Sequence, residues 1–517
     1  MKVEPLADSD EAIGARARQY IDPDSKEPLF QQVRRFLEQS LLEGRFKPHR
    51  PLPSSRHLAG VLGVSRNTVS AAYQELTALG LIESRPRSGL YAAAAVDPES
   101  SPSAPAGPGA TPPAAPSAHT RGVHTGQVDW GARVPRPLGD DLPHAAAHVD
   151  WNRHPFPFLP GQPELGTFPA RAWLRALNEA LAGPHLSASL RDSVDGDDEL
   201  LVQAICREIL PPRGMSVTPS EVIVTNGAQQ ALSLLADLLI RPDSTVSVEN
   251  PGYVDAWHIF RNAGATLRPL AVDAGGARFT RADAAASEFV YLTPSHHHPT
   301  SVTTTYARRA AILRAAQSED ALVIEDDFDS EVRFRGRPTP SLKSLDRTGR
   351  VIYVGTFSKF VAPGLRLGFI VADAPLIAAL RRRRRYLTKH PAGHLQRALG
   401  IFIESGEYHR ALRAHRRHLV RKWEAVTEGL ERHLPFDLPP VPAGGLSVWV
   451  SGPPEFDGTR ATELARTRGV LVDAGERFYL ADPERHHIRV GFNAIPLQAI
   501  PRGLELLGEA IREQLAE

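Results

Sequence analysis

The chain has 517 residues, of which 42% are hydrophobic and 23% are charged. This length and composition predict more than one packed globular core. The chain has no apolar run long enough to cross a bilayer, and its first twenty residues lack the apolar core of a signal peptide, so we expect a cytoplasmic protein with no membrane partner. The single cysteine, Cys206, lies among apolar residues at helical spacing, which predicts a small buried hydrophobe and excludes a disulfide framework.

The charge is unevenly distributed. The formal net charge is only +1, yet Lys and Arg outnumber Asp and Glu by ten to five between Lys26 and Tyr91. A local basic excess of this kind is typical of a surface that meets an acidic partner.

The same basic region predicts three short helices and a hairpin. Apolar residues recur every fourth position in the first helix, and a tight link at Gly63 joins the second helix to the third, as in a helix-turn-helix. The predicted elements are a helix between Pro28 and Gly44, a helix from Ser54 to Leu62, a helix capped by Ser65, and strands from Leu81 to Ser84 and from Leu90 to Ala92.

Polar residues at the helix starts predict a DNA interface. The third helix would enter the major groove and bring Arg66, Asn67 and Thr68 to base edges. The start of the second helix, at Ser54, Ser55 and Arg56, suits a phosphate. A basic loop at the tip of the hairpin, with Arg85, Arg87 and Gly89, would form a wing. A helical dimerisation or docking domain is the alternative.

The run from Pro28 to Gly89 resembles the DNA-binding domain of GntR-family regulators. The segments LPSSR, at 52–56, and SRNTV, at 65–69, carry the resemblance together with the glycine of the wing. It implies that Leu52 to Arg56, Ser65 to Val69 and Gly89 lie at the DNA, and that the partner is a double-stranded operator. We therefore predict a winged helix-turn-helix domain over residues 26–95.

A Pro- and Ala-rich segment follows and predicts a linker. It holds seven prolines and six alanines between Asp97 and Thr120, with few bulky apolar side chains. We assign the linker to residues 96–149. From residue 150 to 517 apolar strands alternate with helical patterns, which predicts an α/β domain with a largely parallel sheet and a small subdomain from approximately residue 390.

The strongest chemical motif of this domain is Thr356-Phe357-Ser358-Lys359, which follows an apolar strand and precedes Arg366. A lysine that forms a Schiff base must lose its proton near neutral pH, and a pyridoxal phosphate site promotes this loss through burial and nearby cations. Lys359 is the candidate for that role. Thr356, Ser358 and Arg366 supply hydroxyls and a cation for the cofactor phosphate.

Two further segments fit the same cofactor. A strand turns into a helix through Gly227, Ala228 and Gln229, whose amides would point at an anion. Another strand runs into an acidic cluster in which Asp326 is best placed to keep a pyridine nitrogen protonated. A tight turn, a solvated acidic loop or a metal site are the alternatives for these segments.

Together these pieces resemble fold-type I aminotransferases from about Leu159 to Phe492. The resemblance implies that Tyr253 stacks on the cofactor ring and that Arg489 binds the carboxylate of a substrate or effector. A GntR-like domain followed by such a domain resembles the MocR subfamily, which implies a head-to-tail, domain-swapped homodimer. The fold class is therefore multidomain, a winged helix-turn-helix plus an α/β aminotransferase-like fold.

The sequence departs from the MocR pattern at the cofactor. Phe328 stands where the family usually has a tyrosine, so one hydroxyl contact to the cofactor is lost. His297 and His298 replace glutamine and an aromatic residue, and Ser301 replaces glycine, so His297 becomes a candidate to supply the lost contact. The histidine triplet at 296–298 does not have the spacing of a metal site, and no metal is predicted.

These observations predict a transcription regulator that depends on pyridoxal phosphate and senses an amino compound, or the cofactor itself. No catalytic residue is assigned. A true aminotransferase with a localising N-terminal domain is the rival hypothesis, because the lysine and the carboxylate-binding arginine are both present. The five arginines from Arg381 to Arg385 predict a solvated helix face, with a second DNA contact as the alternative.

Overall fold

A computed structural model describes residues 10–22, 25, 27–46, 50–85, 88–93, 129–134, 140–144, 150–329, 331–334, 339–438, 440–442 and 444–517. The chain divides into two compact units, Met1–Gln127 and Val128–Glu517. The predicted Arg87 and most of the predicted linker lie outside the described residues. Among the described helices none is both long and apolar enough to cross a membrane.

The first unit has the predicted elements and one more helix. The elements are α1 (Asp10–Ala17), α2 (Leu29–Leu42), α3 (Ser55–Leu62), α4 (Arg66–Ala78), β1 (Ile82–Arg85) and β2 (Gly89–Ala92). Gly63 ends α3 in the left-handed region with φ +67°, a conformation that favours glycine. The sequence did not predict α1, whose Ile13 and Ala17 are buried in the same core as Leu58 and Val69.

The second unit is built on an eight-stranded sheet with the strand order β4-β11-β10-β9-β8-β5-β6-β7. Strands β10, β9, β8, β5 and β6 are parallel, whereas β11 and β7 are antiparallel to their neighbours. This arrangement agrees with the largely parallel sheet expected from the sequence. The strands of the unit are β3 (Phe156–Pro157), β4 (Val222–Thr225), β5 (Thr245–Asn250), β6 (Thr266–Asp273), β7 (Gly276–Ala277), β8 (Phe289–Leu292), β9 (Leu322–Asp327), β10 (Val351–Thr356), β11 (Gly368–Val371), β12 (Ser447–Ser451), β13 (Val470–Leu471), β14 (Asp473–Ala474) and β15 (His487–Gly491).

Helices cover both faces of this sheet, so strands β4, β8, β10 and β11 are buried along their whole length. In β4, Ile223 packs into the core on one face, and Val222 and Val224 pack into the core on the other. The helices of the unit are α5 (Trp130–Arg133), α6 (Ala170–Ala180), α7 (His185–Leu190), α8 (Glu199–Ala204), α9 (Gly227–Leu239), α10 (Val254–Asn262), α11 (Arg281–Ala285), α12 (Tyr306–Ser318), α13 (Leu342–Leu345), α14 (Ala374–Leu387), α15 (Gly393–Glu404), α16 (Glu407–His433), α17 (Gly458–Thr467) and α18 (Ile500–Ala516).

A smaller antiparallel sheet, in the order β12-β15-β14, packs with α16, α17 and α18 around a separate core. Phe402 of α15 still belongs to the core of the large sheet, whereas Leu419 of α16 belongs to the core of the small one. The small subdomain expected from about residue 390 stays a prediction, and the change of core falls within α16.

The expectation of a solvated arginine face is wrong for Arg384. Its side chain is fully buried, and its Nη1 donates to the Asp197 carboxylate at 2.6 Å. Arg381 shares that carboxylate at 2.7 Å, and Arg383 pairs with Asp237. The arginine run therefore holds α14 against neighbouring segments of the same unit. Cys206 is half-buried in a π-helical turn and packs beside the core of the large sheet.

Candidate cofactor, effector and DNA sites

A cavity of about 230 Å³ lies at the carboxyl ends of the parallel strands. Ligands of open α/β sheets gather at this edge. The predicted cofactor residues that line the cavity are Ala228, Gln229, Tyr253, Asp326, Thr356, Ser358, Lys359 and Arg366. Gly227 adjoins it, since a Cβ placed there would lie 3.4 Å from the Arg366 guanidinium.

Asp326 presents one free carboxylate oxygen. Glu325, Asp326 and Asp327 of the acidic cluster belong to β9 itself and do not follow the strand as expected, so Asp326 is buried within the sheet. Its Oδ2 accepts a hydrogen bond from the Tyr291 hydroxyl at 2.8 Å, whereas its Oδ1 has no partner among the described residues. Burial raises the pKa of Asp326 to about 7. A cationic N–H donor at Oδ1 would satisfy the orphaned oxygen and keep the carboxylate ionised.

Lys359 lies just beyond β10, and its Nζ is 5.9 Å from the centre of the Phe328 ring. Burial lowers the pKa of the Lys359 amine, and the carboxylate of Asp329 partly opposes this effect. The amine is therefore shifted toward its neutral, nucleophilic form.

An anion cradle surrounds the start of α9. The helix begins at Gly227, whose φ of +78° turns the chain sharply after β4. The Ser358 hydroxyl is buried without a partner among the described residues. Arg366 is exposed, and its hydrogen bonds to described residues are long, 3.3 Å to the Asn226 carbonyl and 3.5 Å to Gln229. Helix amides, a hydroxyl and a lightly engaged guanidinium suit a phosphate.

The structure argues against His297 as a cofactor ligand. Its Nε2 bonds to the Pro251 carbonyl at 3.0 Å and its Nδ1 to the Thr300 hydroxyl at 2.7 Å, so both ring nitrogens are engaged. His298 lines the cavity instead. Its ring meets Tyr253 edge-on with centroids 5.1 Å apart.

A second cavity of about 280 Å³ adjoins the first and shares Tyr253, His298, Phe328 and Lys359 with it. Arg489 lines this second cavity. Its guanidinium donates to Asp473 Oδ2 at 2.7 and 3.0 Å and to His298 Nε2 at 2.7 Å. Burial and the charge of Arg489 hold the pKa of His298 well below its usual value, so the imidazole is neutral and accepts this bond.

Asp473 and Phe478 are site residues that sequence reasoning missed. Asp473 pairs with Arg489 in strand register, and the Arg489 guanidinium lies 4.4 Å from the centre of the Phe478 ring. Neither residue stands in a recognisable motif. Only the contacts that they make with Arg489 reveal their place.

In the first unit, the predicted DNA residues fall into two groups. Arg56, Arg66 and Asn67 are exposed, and their side chains make no hydrogen bond or ion pair with any described residue. The Ser54 and Ser65 hydroxyls cap α3 and α4, at 3.2 Å from His57 N and 3.1 Å from Thr68 N. The exposed group is available to a ligand, while the serines shape the helix starts.

The wing residues lie around the hairpin of β1 and β2. Gly89 opens β2 with φ +111°, and its neighbour across the strands, Arg85, bonds to Glu83 at 2.8 Å. The Arg85 guanidinium also lies 4.3 Å from the centre of the Tyr91 ring. The hairpin therefore holds this arginine close to the strand.

Two families match the chain. Residues 161–505 match aminotransferase class I and II, and residues 29–91 match bacterial regulatory proteins of the gntR family. The chain is 35% identical over 495 residues to the HTH-type transcriptional regulator TauR of Rhodobacter capsulatus. The matched region covers 95% of this chain and 98% of TauR. It is 34% identical over 418 residues to the probable rhizopine catabolism regulatory protein MocR of Rhizobium meliloti, which covers 80% of this chain and 79% of MocR. The chain belongs to the MocR subfamily of GntR-type regulators.

Solved aminotransferases share the fold of the second unit of this MocR-type regulator. The kynurenine aminotransferase of Pyrococcus horikoshii is 26% identical with a TM-score of 0.66, over 72% of this chain and 95% of that one. The α-aminoadipate aminotransferase LysN of Thermus thermophilus is 25% identical with a TM-score of 0.68, over 75% of this chain and all of LysN. LysN was solved with a phosphopyridoxyl-leucine adduct.

Proposed function

We propose that this MocR-type protein is a pyridoxal-phosphate-dependent transcription regulator. It binds operator DNA through its winged helix-turn-helix domain and senses an amino compound, or the cofactor itself, through its aminotransferase-like domain. The observation that carries the proposal is the single cavity that gathers the predicted cofactor residues in a chain with a gntR-type domain.

The residues of the cavity fit pyridoxal phosphate on three counts. Asp326 offers an orphaned buried oxygen to a pyridine N–H, and Ser358 offers an orphaned hydroxyl to a phosphate. Lys359 is a buried amine whose pKa is lowered, which suits covalent attachment of an aldehyde. When bound, the cofactor would supply an aldehyde that reacts reversibly with amino groups. Tyr253 and His298 would flank the pyridine ring of the cofactor, and Arg366 and the start of α9 would bind its phosphate.

The second cavity is the proposed effector site. Three N–H groups of Arg489 are used by Asp473 and His298, which leaves two of the five guanidinium donors for a ligand anion. Because Lys359 lines both cavities, an amino compound anchored at Arg489 would place its amine near the cofactor. The relatives include regulators of rhizopine catabolism and of pyridoxine biosynthesis, which fits either kind of effector.

DNA recognition is assigned to the first unit. The proposed base contacts are Arg66 and Asn67, and Arg56 meets the phosphate backbone. We further propose a head-to-tail homodimer, as the family resemblance implies, so that two winged domains read paired half-sites. The domain limits 26–95, 96–149 and 150–517 remain part of this proposal.

The deciding experiment is a spectroscopic titration of the purified protein with pyridoxal phosphate. Wild type should develop a visible absorption band that Lys359→Ala lacks, while Lys343→Ala, which changes a lysine that pairs with Asp373 and lines neither cavity, should keep it. An amino compound that shifts the band and changes operator affinity is an effector. A band equal in wild type and Lys359→Ala would refute the cofactor site.

A genuine aminotransferase is the second candidate, because Lys359 and Arg489 both line the second cavity in a domain that matches aminotransferases. The two candidates differ in product. A regulator binds the amino compound without consuming it, whereas an enzyme releases one keto acid for each amino group that it transfers. Keto-acid assays across the same compounds separate them.

A further inference from the structure

The first residue of β15 and the loop before it bring three potential metal ligands together. Glu484, His486 and His487 place one ligand atom each within 4.8 Å of the others. The Oε2 atom of Glu484 lies 2.8 Å from His487 Nε2 and 3.7 Å from His486 Nε2. Both imidazoles therefore face the same carboxylate oxygen.

These distances bracket the spacing that a tetrahedral ion requires. With Zn–N and Zn–O bonds of about 2.0–2.2 Å, neighbouring ligand atoms lie about 3.3 Å apart. The two distances to Glu484 Oε2 each differ from that value by about half an ångström, so a small rotation of either ring reaches it. Two imidazoles and one carboxylate are also a donor set that zinc uses in sites that keep a position open to solvent.

Neighbouring aromatic residues already restrain two of the three ligands. The His487 ring packs 5.1 Å from the ring of Trp449 and stacks 6.3 Å from that of Tyr479, and its side chain is only 8% exposed. The Tyr479 hydroxyl donates to Glu484 Oε2 at 3.1 Å, which orients the carboxylate as outer contacts of metal sites do. Glu484 and His486 are 52% and 36% exposed, so an ion has access from solvent.

Other histidines of the second unit make ordinary pairs, in which one carboxylate does not face two imidazoles. His409 bonds to Glu208 at 2.9 Å, one imidazole to one carboxylate. In the triplet at 296–298 each ring has its own partner, as His296 bonds to Asp329 and His298 to Arg489. Within the described parts of the chain, Glu484, His486 and His487 are the group that meets the spacing of a metal site.

We propose that Glu484, His486 and His487 bind a divalent transition-metal ion of the zinc class, with solvent completing the coordination. His487 is the first residue of β15, and Arg489 follows two positions later on the same strand. A bound ion would therefore fix the start of the strand that carries the proposed effector ligand. The metal site stands on its own geometry and does not depend on the proposed cofactor.

The test uses full-length protein without an affinity tag, stripped of metal by chelation. Zn²⁺ binding is measured by calorimetry, and Co²⁺ is added as a spectroscopic probe whose visible bands report low-symmetry nitrogen and oxygen ligation. We expect one ion per chain. Glu484→Gln and His486→Ala should each weaken binding at least tenfold, and Tyr479→Phe about tenfold.

The matched control is His409→Ala, which removes a histidine from a comparable His–Glu pair and should leave binding unchanged. Both ligand variants alter side chains that are at least one-third exposed, and circular dichroism verifies their fold. Absence of Zn²⁺ binding and of a Co²⁺ spectrum in wild type would overturn the site. Binding that persists undiminished in folded His486→Ala would overturn it equally.

Discussion

Replacing Asp326 with asparagine would separate two opposing effects of this buried carboxylate. Its pKa is raised by burial from 3.8 to about 7. An acid whose pKa is higher in the folded than in the unfolded chain destabilises the fold once the unfolded chain ionises. The cost is absent below about pH 4, grows as the pH rises toward 7 and is constant above it. The difference between pKa values of 3.8 and about 7 sets the upper limit of this cost near 4 kcal/mol.

We therefore expect Asp326→Asn to raise the free energy of unfolding of the cofactor-free protein at pH 8, by up to about 4 kcal/mol, and to change it little at pH 4. The affinity for the cofactor should fall, although the stability rises. A hydrogen bond to a charged group contributes about 1.5–3 kcal/mol, so the Kd for pyridoxal phosphate should rise by about ten- to a hundred-fold.

Urea unfolding at several pH values and absorbance titration with pyridoxal phosphate measure the two effects. Tyr291→Phe is the matched control, because it removes the donor to Oδ2 but keeps the carboxylate and its Oδ1. It should lower stability at pH 8 while leaving the cofactor Kd near that of wild type. The reasoning is refuted if Asp326→Asn binds the cofactor as tightly as wild type, or if its stability has the pH dependence of wild type.

Three further predictions address the effector, the DNA and the arginine run. Arg489→Lys should raise the Kd of the effector at least tenfold and leave the Kd of the cofactor within about twofold, since lysine lacks the planar set of donors of a guanidinium. Spectral titrations with each ligand measure the two constants, and a parallel rise of both would contradict this prediction. Arg66→Ala should weaken operator binding by about 1–3 kcal/mol and relax sequence specificity, whereas Arg56→Ala should weaken binding to all DNA sequences and lower the salt slope of binding by about one. Anisotropy titrations at several salt concentrations distinguish the two variants, and identical effects would argue against the assignment. Arg384→Ala should lower the free energy of unfolding by about 3–5 kcal/mol, because the buried carboxylate of Asp197 loses one of its cationic partners. Arg382→Ala, which changes an exposed side chain, should leave the free energy of unfolding almost unchanged. Equal urea midpoints for the two variants would contradict the burial argument.

The sequence predicted cofactor residues that the structure brings around one cavity, because each of them stands in a local signal. Lys359 and Asp326 lie at the carboxyl ends of apolar strands, and Gly227 opens a helix directly after one. Parallel strands bring these ends to one edge of the sheet, so the residues meet without any knowledge of the loops. The family resemblance added Tyr253 and Arg489, whose positions no local pattern specifies.

What the sequence could not predict depends on contacts between distant segments. Asp473 reaches Arg489 only through strand register. Arg384 lies in a run that has the composition of a solvated face, yet Asp197, nearly two hundred residues earlier, draws it into the interior. His297 and His298 are adjacent and chemically identical, and only the backbone decides that His298 faces the cavity while His297 bonds to Pro251 and Thr300.

The same contacts join the proposed effector site to the proposed cofactor site. Arg489 bonds to His298, and the His298 ring packs against that of Tyr253. A ligand anion that draws on the remaining donors of Arg489 must share the guanidinium with Asp473 and His298. Any shift of the guanidinium toward the ligand therefore alters the hydrogen bond that His298 accepts from Arg489. Because the His298 ring packs against Tyr253, such a shift also affects the residues that line the cofactor cavity.

A second route runs through the backbone. Arg489 covers Phe478, and the Phe478 carbonyl accepts a hydrogen bond from Gly252 N at 2.8 Å, one residue before Tyr253. A ligand that favours one arrangement of Arg489 thus has two physical connections to the ring that flanks the cofactor. Differential affinity for two such arrangements is what an effector needs in order to shift a regulator between states. In this protein the arginine that would bind the effector is thus joined by direct contacts to residues that flank the cofactor cavity.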